Sequence, residues 1–429
     1  MEIYVVKEGD TIASIAEQFG VSVERLMLEN GLSSPDRIVV GQSLIIAYPK
    51  QEHVVREGET LQDIADLYQV SIMQILRNNS FLSNREFIYP GETLIISYNT
   101  VGSIRVNGYT FTFINRDNLI KALPNLTYLS IFNYITTDEG DVVQSGGDET
   151  EIVNTSLEYG VLPLLMITTL SNMGAHNIEV AYNILLNEGY QLRNIEQYVS
   201  IMKSKGYRGV NVVLNYLNPN SQQLYLNFIR KISERLQQEG LLFFITINYE
   251  VRVRNGDVVL EPIDYGALSS YVQGIILLKF LWGSNYGPPA PVSNISHVRR
   301  LVEHVIQSVP PQKVMVGNQI LGYDWQLPYI AGRTVATSMT ITAVLDLAFE
   351  TNSVIQYDDN SRNPFFYYNQ AIVVPVDHIV WFIDVRSINS INEMVTELSL
   401  SGSGVWNIMY YYPQLWTSIN AQFDIVKLI

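Results

Sequence analysis

The chain has no cysteine in its 429 residues, so it holds no disulfide framework and no thiol chemistry. Histidine is nearly as scarce. His53, His176, His297, His304 and His378 stand far apart, without the spacing of metal ligands. No metal and no cofactor are expected. Charged residues make up only 16%, and acidic ones outnumber basic ones 42 to 27, for a net charge of −15. Such a chain gives nucleic acid few cations to displace its counterions, so nucleic acid is not an expected partner. There is no basic run to hold a membrane surface, and no apolar run long enough to span one. Met1-Glu2-Ile3-Tyr4 already reads as folded-domain pattern, so no signal peptide is expected. Phosphate loops and nucleotide fingerprints are also missing.

What remains is apolar and aromatic. Hydrophobic residues reach 47%, enough for a large core, and there are 27 tyrosines. Most of these fit core and interface positions; a ring with a polar tip also suits a sugar-binding surface. The length suits two or three domains.

The first hundred residues repeat themselves. Val5-Val6-Lys7-Glu8-Gly9-Asp10-Thr11 returns as Val54-Val55-Arg56-Glu57-Gly58-Glu59-Thr60. Gly41-Gln42-Ser43-Leu44-Ile45-Ile46 returns as Gly91-Glu92-Thr93-Leu94-Ile95-Ile96. Duplicated modules give this kind of self-similarity. Each copy reads strand, helix, helix, strand. Thr11 and Thr60 are N-caps ahead of apolar faces, Ile12, Ile15, Ala16, Phe19 and Leu61, Ile64, Ala65, Tyr68. Asn30 and Asn79 close the second helices.

Together these features resemble the LysM module over both copies. The resemblance implies binding of N-acetylglucosamine-containing glycans, peptidoglycan or chitin-like. It places the sugar between the loop after the first strand and the loop before the last. In this sequence those loops hold Gly9, Asp10, Thr11 with Asn30, Gly31, Leu32, and Gly58, Glu59, Thr60 with Asn79, Ser80, Phe81. The same Thr and Asn residues fit plain helix caps, and spacing alone leaves both readings open. Two weak sites on one chain would gain from effective concentration.

Beyond the repeats the pattern changes to strands separated by helices. Tyr98 to Tyr109 reads as a connection. Strands are expected at Tyr128–Tyr134, Val142-Val143, Val161–Ile167, Val210–Asn215, Leu241–Ile247, Gly274–Phe280, Val314–Gly317 and Gly404–Met409. Helices are expected at Asn194–Lys205, along Leu224, Phe228, Ile232 and Leu236, and around Val298–Ile306. This alternation predicts an α/β fold, a (β/α)8 TIM barrel. A small α+β insertion is expected at about 323–384. The domains are then 1–48, 51–98 and 99–429.

The stretch Gly206 to Pro219 carries the sharpest signal. Val210, Val212 and Leu214 alternate with Asn211 and Val213, and Asn215 stands at the strand end, where parallel barrels place catalytic groups. The stretch resembles the signature of family 18 glycoside hydrolases, Asp-Gly-x-Asp-x-Asp-x-Glu. The resemblance implies a final Glu as general acid and an Asp two residues earlier that orients the substrate's acetamido group. Here the four carboxylate positions are Arg208, Asn211, Val213 and Asn215. The family's Met-x-Tyr of the sixth strand is matched by Leu278-Lys279-Phe280, so that hydroxyl is lost as well. Tyr323-Asp324-Trp325, Asp384, Trp282 and Trp406 fall where the family's cleft is expected. Two modules ahead of such a barrel resemble the spore cortex N-acetylglucosaminidases.

Three functions follow as expectations. The first is a glycan-binding protein of the spore coat or cortex with a degenerate barrel and an aromatic cleft from Trp282, Trp325 and Trp406. The second is an active N-acetylglucosaminidase whose acid has moved to Glu250, Asp264, Asp324 or Asp384. The third is a structural coat protein that binds other coat proteins, with a cleft filled by side chains.

Overall fold

The computed structural model describes residues 1–83, 85, 87–168, 177–215, 217–249, 252–254, 257–279, 286–371 and 375–429; at 252, 253, 257 and 371 it describes the backbone alone. Each repeat folds as a small α+β unit. In the first, strands Glu2–Val5 and Ser43–Ile46 pair antiparallel around helices Ile12–Phe19 and Val23–Asn30. In the second, strands Gln51–Val54 and Thr93–Ser97 pair around Leu61–Tyr68 and Ile72–Asn78. Thr11 forms a capping box with Ser14, and Thr60 forms one with Asp63. Gly20 ends the first helix in the left-handed region, and Gln69 does so in the second copy with φ 55°. Ile12, Ile15, Leu26, Leu44 and Ile46 form one core, and Ile64, Ile75, Leu94 and Ile96 the other.

Eight parallel strands then close into a barrel: Gly102–Phe111, Tyr128–Phe132, Leu162–Ile167, Gly209–Leu214, Leu242–Ile247, Gly274–Leu277, Val314–Gln319 and Gly402–Trp406. The last pairs with the first, Ser403 opposite Val106. Phe423–Ile425 adds a short parallel strand on the first. Two expectations are corrected here. The Tyr98–Tyr109 stretch is not a connection, because the first barrel strand starts at Gly102. Its inward positions are the polar Asn107 and Tyr109, which break the apolar pattern that marks a buried strand. Val142-Val143 is not a barrel strand either. Val142–Gln144 pairs antiparallel with Tyr134–Thr136 in a separate hairpin. The helix read from Asn194 starts at Glu188, capped by Asn187.

Between the last two barrel strands lies a five-stranded antiparallel sheet. Its order is Thr337–Met339, Gly322–Gln326, Pro375–Phe382, Asn363–Ala371, Gln356–Asp358. The sheet carries the helix Ile341–Glu350.

The modules are docked on the barrel through buried polar contacts. From the helix Pro413–Asn420, Gln414 Nε2 donates to Asn30 Oδ1 at 2.9 Å and to the Ser43 carbonyl at 2.8 Å. Ser43 Oγ donates to Asp384 Oδ2 at 2.8 Å, and Asn420 Nδ2 to the Arg77 carbonyl at 3.0 Å. Gly41 has φ +87°, and a Cβ there would lie 1.9 Å from the Ile355 carbonyl oxygen, so only glycine fits this seam.

Candidate functional site

The barrel lumen is layered, and its layers follow from which side chains alternate inward. On the fourth strand Val210, Val212 and Leu214 face the helices, while Asn211 and Val213 face the lumen. Above Tyr128 and Phe244 the lumen holds a neutral hydrogen-bond network. Asn211 Nδ2 donates to Ser130 Oγ at 2.9 Å and Ser130 donates to Asn107 Oδ1 at 3.0 Å. Thr246 Oγ1 donates to Asn211 Oδ1 at 2.8 Å and lies 2.6 Å from the Tyr109 hydroxyl. Burial pushes the Tyr109 phenol upward, so it stays neutral.

Val213 belongs to the apolar cluster of the lumen, with Met166, Phe244, Ile276, Leu278, Met315 and Trp406, and stands in register with Thr246 of the next strand. A carboxylate there would be desolvated among apolar side chains. The rim follows. Asn215 Nδ2 donates to Thr168 Oγ1 at 3.1 Å, and Asn248 Nδ2 donates to Asn215 Oδ1 at 3.1 Å. Arg208 is exposed at the start of the strand.

Aromatic rings lead from the lumen to solvent. Trp406 packs edge-on to Tyr109 at 5.7 Å and to Phe111 at 5.9 Å. Phe111 stacks on Phe113 at 5.3 Å with 21° between planes, and Phe113 is 76% exposed. Sequence reading missed these two phenylalanines. The signal was the alternation Tyr109, Phe111, Phe113, hidden because the first strand was read as a connection.

Two acids expected at the cleft are corrected. Asp384 caps the helix Val385–Glu397 and binds Arg386 and Ser43, so it faces the first module. Asp324 accepts from the Tyr368 hydroxyl at 2.7 Å and lies 2.9 Å from His378 Nδ1. Alternation puts it on the sheet face opposite Tyr323 and Trp325. Those two rings pack together at 5.5 Å and are buried, with Trp325 Nε1 donating to the Gly287 carbonyl at 3.0 Å. Trp325 therefore presents no open ring face to a sugar. Asp264 caps the helix Tyr265–Ser269, accepting from the Ala267 N–H at 2.9 Å. Glu250, Phe280, Trp282 and His176 lie outside the described residues. Among the described residues, no cluster of acidic and histidine side chains is placed to hold a metal ion, and no helix is long and apolar enough to cross a membrane.

In the modules, Asn30 and Asn79 are buried and spent on the fold. Asn30 Oδ1 accepts from Ile45 N at 2.7 Å and its Nδ2 donates to Leu26 O and Ile45 O. Asn79 repeats the pattern with Ile95 and Ile75. They are corrected from sugar contacts to locks between the second helix and the last strand. Gly31 is the left-handed C-cap, close against Pro413, and Leu32 packs on the module core. Asp10 and Glu59 close their turns by accepting from Lys7 N and Arg56 N, each at 2.7 Å. Hydrogen bonds hold both carboxyls below their usual range, from Lys7 N first for Asp10 and from His53 first for Glu59. Gly9, Thr11, Gly58 and Thr60 are exposed, Ser80 and Phe81 half-buried.

Comparison with known proteins accounts for this architecture. The LysM domain model matches residues 4–47 and 53–97, and the model of glycosyl hydrolases family 18 matches residues 167–410. A cortical fragment-lytic enzyme of Bacillus subtilis (strain 168) is 34% identical over 438 residues, covering 100% of this chain and 99% of that one. The crystal structure of the Bacillus cereus spore cortex-lytic enzyme SleL matches with TM-score 0.79 at 27% identity, covering 99% of this chain and 98% of that one. The corresponding enzyme of Bacillus megaterium QM B1551 matches with TM-score 0.78 at 29% identity, covering 100% and 99%. The chain belongs to family 18 of the glycosyl hydrolases, with two LysM domains ahead of its barrel.

Proposed function

We propose that this protein binds N-acetylglucosamine-containing glycan of the spore cortex or coat and does not cleave it. The carrying observation is the end of the fourth strand. Family 18 hydrolysis uses the substrate's own acetamido oxygen as nucleophile, so the protein must supply a general acid and a group that steadies the positive intermediate. Asn215 holds no acidic proton, and its amide is engaged at both ends by Thr168 and Asn248. Val213 belongs to an apolar layer and has no charge to offer. Positioned acid catalysis contributes on the order of 10²–10⁴ in rate, and members of one constellation fail together.

Binding needs none of these groups. The stacked Phe111 and Phe113, with Trp406 buried behind them, give a sugar ring an apolar face to lie on, and the exposed turns at Gly9 and Gly58 supply the module loops. Substrate-type names among the relatives, cortical fragment-lytic and spore cortex-lytic, support cortex peptidoglycan as the glycan. The relocated-acid reading is weakened, because Asp324 and Asp384 are held away from the mouth and Asp264 is a helix cap.

The test of binding is retention of the full chain on insoluble cortex sacculi. Retention well above an acidic control protein is expected; retention equal to the control would overturn the reading.

A further inference from the structure

A cavity of about 450 Å³ lies where both modules meet the barrel. That volume falls within the roughly 300–1,000 Å³ of small-molecule sites. The first module lines it through Arg25, the second through Arg77, Ser80 and Phe81, and the barrel through Tyr411 and Asn420. It exists only because the three units are docked in one arrangement.

Its charge is uneven. Arg77 is buried, with 6% of its side chain exposed, and among the described residues its one ion pair is a 3.3 Å contact to Asp424. Asp424 is itself half exposed and shared with Thr100 Oγ1 at 2.9 Å. Loss of water pushes the guanidinium down to about 10, against which Asp424 is the one charge that acts in its favour. Lys427 is a half-buried cation close to Arg77, outside the cavity lining. It spends its hydrogens on the carbonyls of Leu123, Leu126 and Tyr159, and is pushed down to about 7 by burial first and by Arg77 second. On the other side, Glu29 and Glu52 are already taken by Arg25 at 2.8 and 3.0 Å, and Glu24, which also lines the cavity, is exposed to solvent. Asn420 donates to the Arg77 carbonyl and to Asn125, yet its buried Oδ1 has no partner. The wall thus offers a guanidinium with a single long ion pair and the rings of Phe81 and Tyr411.

We propose that this junction cavity binds an acidic amino sugar, a saccharide ring bearing a carboxylate, with the carboxylate on Arg77. A charge-assisted contact to a largely buried guanidinium suits that group. The hydroxyls and amides of the wall suit the ring's polar substituents. The saccharide class rests on the glycan-binding reading above; the preference for an anion rests on Arg77 alone.

The test titrates the full chain, by calorimetry, with N-acetylmuramic acid and with N-acetylglucosamine, which differ in one carboxylate-bearing ether. The acidic sugar is expected to bind about tenfold tighter or more. Arg77→Gln should remove that preference. Leu28→Trp, at a cavity-lining position that is 43% exposed, should block both sugars without disturbing the buried pairs. Equal affinities, no binding of the acidic sugar, or unchanged binding by Leu28→Trp would each overturn the proposal. Retention on sacculi without binding of the acidic sugar overturns the cavity and leaves the glycan reading standing. Binding of the acidic sugar without retention supports the cavity and overturns that reading.

Discussion

Asn248 Nδ2 donates to Asn215 Oδ1 at 3.1 Å, and Asn215 passes the connection on to Thr168. One amide therefore ties the carboxyl ends of the third, fourth and fifth barrel strands, at the position where the family motif has its acid. A glutamate there can still accept from Asn248, and the Thr168 hydroxyl can turn to donate. Asn215→Glu is expected to fold, with stability within about 1 kcal/mol of the parent. It should gain no measurable hydrolysis, because Val213 remains. Denaturant unfolding and a reducing-end assay check the two halves of this outcome.

Val213→Asp should behave differently. It places a carboxylate in the apolar lumen cluster that holds Met166, Ile276 and Trp406. The expected loss is on the order of 3 kcal/mol at neutral pH, shrinking as the carboxyl is protonated. Urea midpoints at neutral and acid pH measure it. An unchanged midpoint at neutral pH would mean that the layer is wet.

Asn30→Ala and Asn79→Ala each strip three hydrogen bonds from buried backbone of the module. Each should cost roughly 1–3 kcal/mol or more. The caps Thr11→Ala and Thr60→Ala should cost about 1 kcal/mol. Thermal unfolding ranks them. Loss of glycan binding at full stability in Asn30→Ala would restore it as a sugar contact.

Phe113 is the cheapest probe of the barrel mouth. Its exposure means that Phe113→Ala should change stability by no more than about 0.5 kcal/mol. Retention of glycan by the barrel should nevertheless fall. Affinity electrophoresis in a chitin-derived polymer reads this directly, and unaltered mobility would remove the aromatic run from the site.

Asp10 and Glu59 set an acid limb. Their folded pKa values lie below the unfolded ones, so the stability they contribute is present above the ordinary carboxylate range. It is lost as pH falls through the lowered values. Asp10→Asn and Glu59→Gln should flatten the fall of melting temperature with pH in that window. Parallel curves for parent and variants would assign the acid limb to other groups.

The modules and most of the barrel were legible because their signals are local. Capping residues, apolar faces and repeated glycine turns all sit within one copy of the repeat. The fourth strand declared itself through Val210, Val212 and Leu214. The first strand did not, because its inward Asn107 and Tyr109 make sense only beside Ser130, Asn211 and Thr246 on other strands. Asp384 misled for a related reason. Its partners Ser43 and Arg386 show that an acid near the last strand serves the module seam, and Ser43 is far away in sequence. The double use of Asn30, as module lock and as acceptor for Gln414, was equally invisible before the chain was folded.

The central claim is that the end of the fourth strand cannot act as an acid. The direct measurement is release of reducing ends from purified cortex fragments by the full chain, beside the triple variant Val213→Asp, Asn215→Glu, Phe280→Tyr. The account predicts background release by the parent, while the triple variant, which returns the last Asp and Glu of the motif and the tyrosine, is the one place where turnover can appear. Robust turnover by the parent would contradict the account, and its loss on Glu250→Gln would then assign the acid to Glu250.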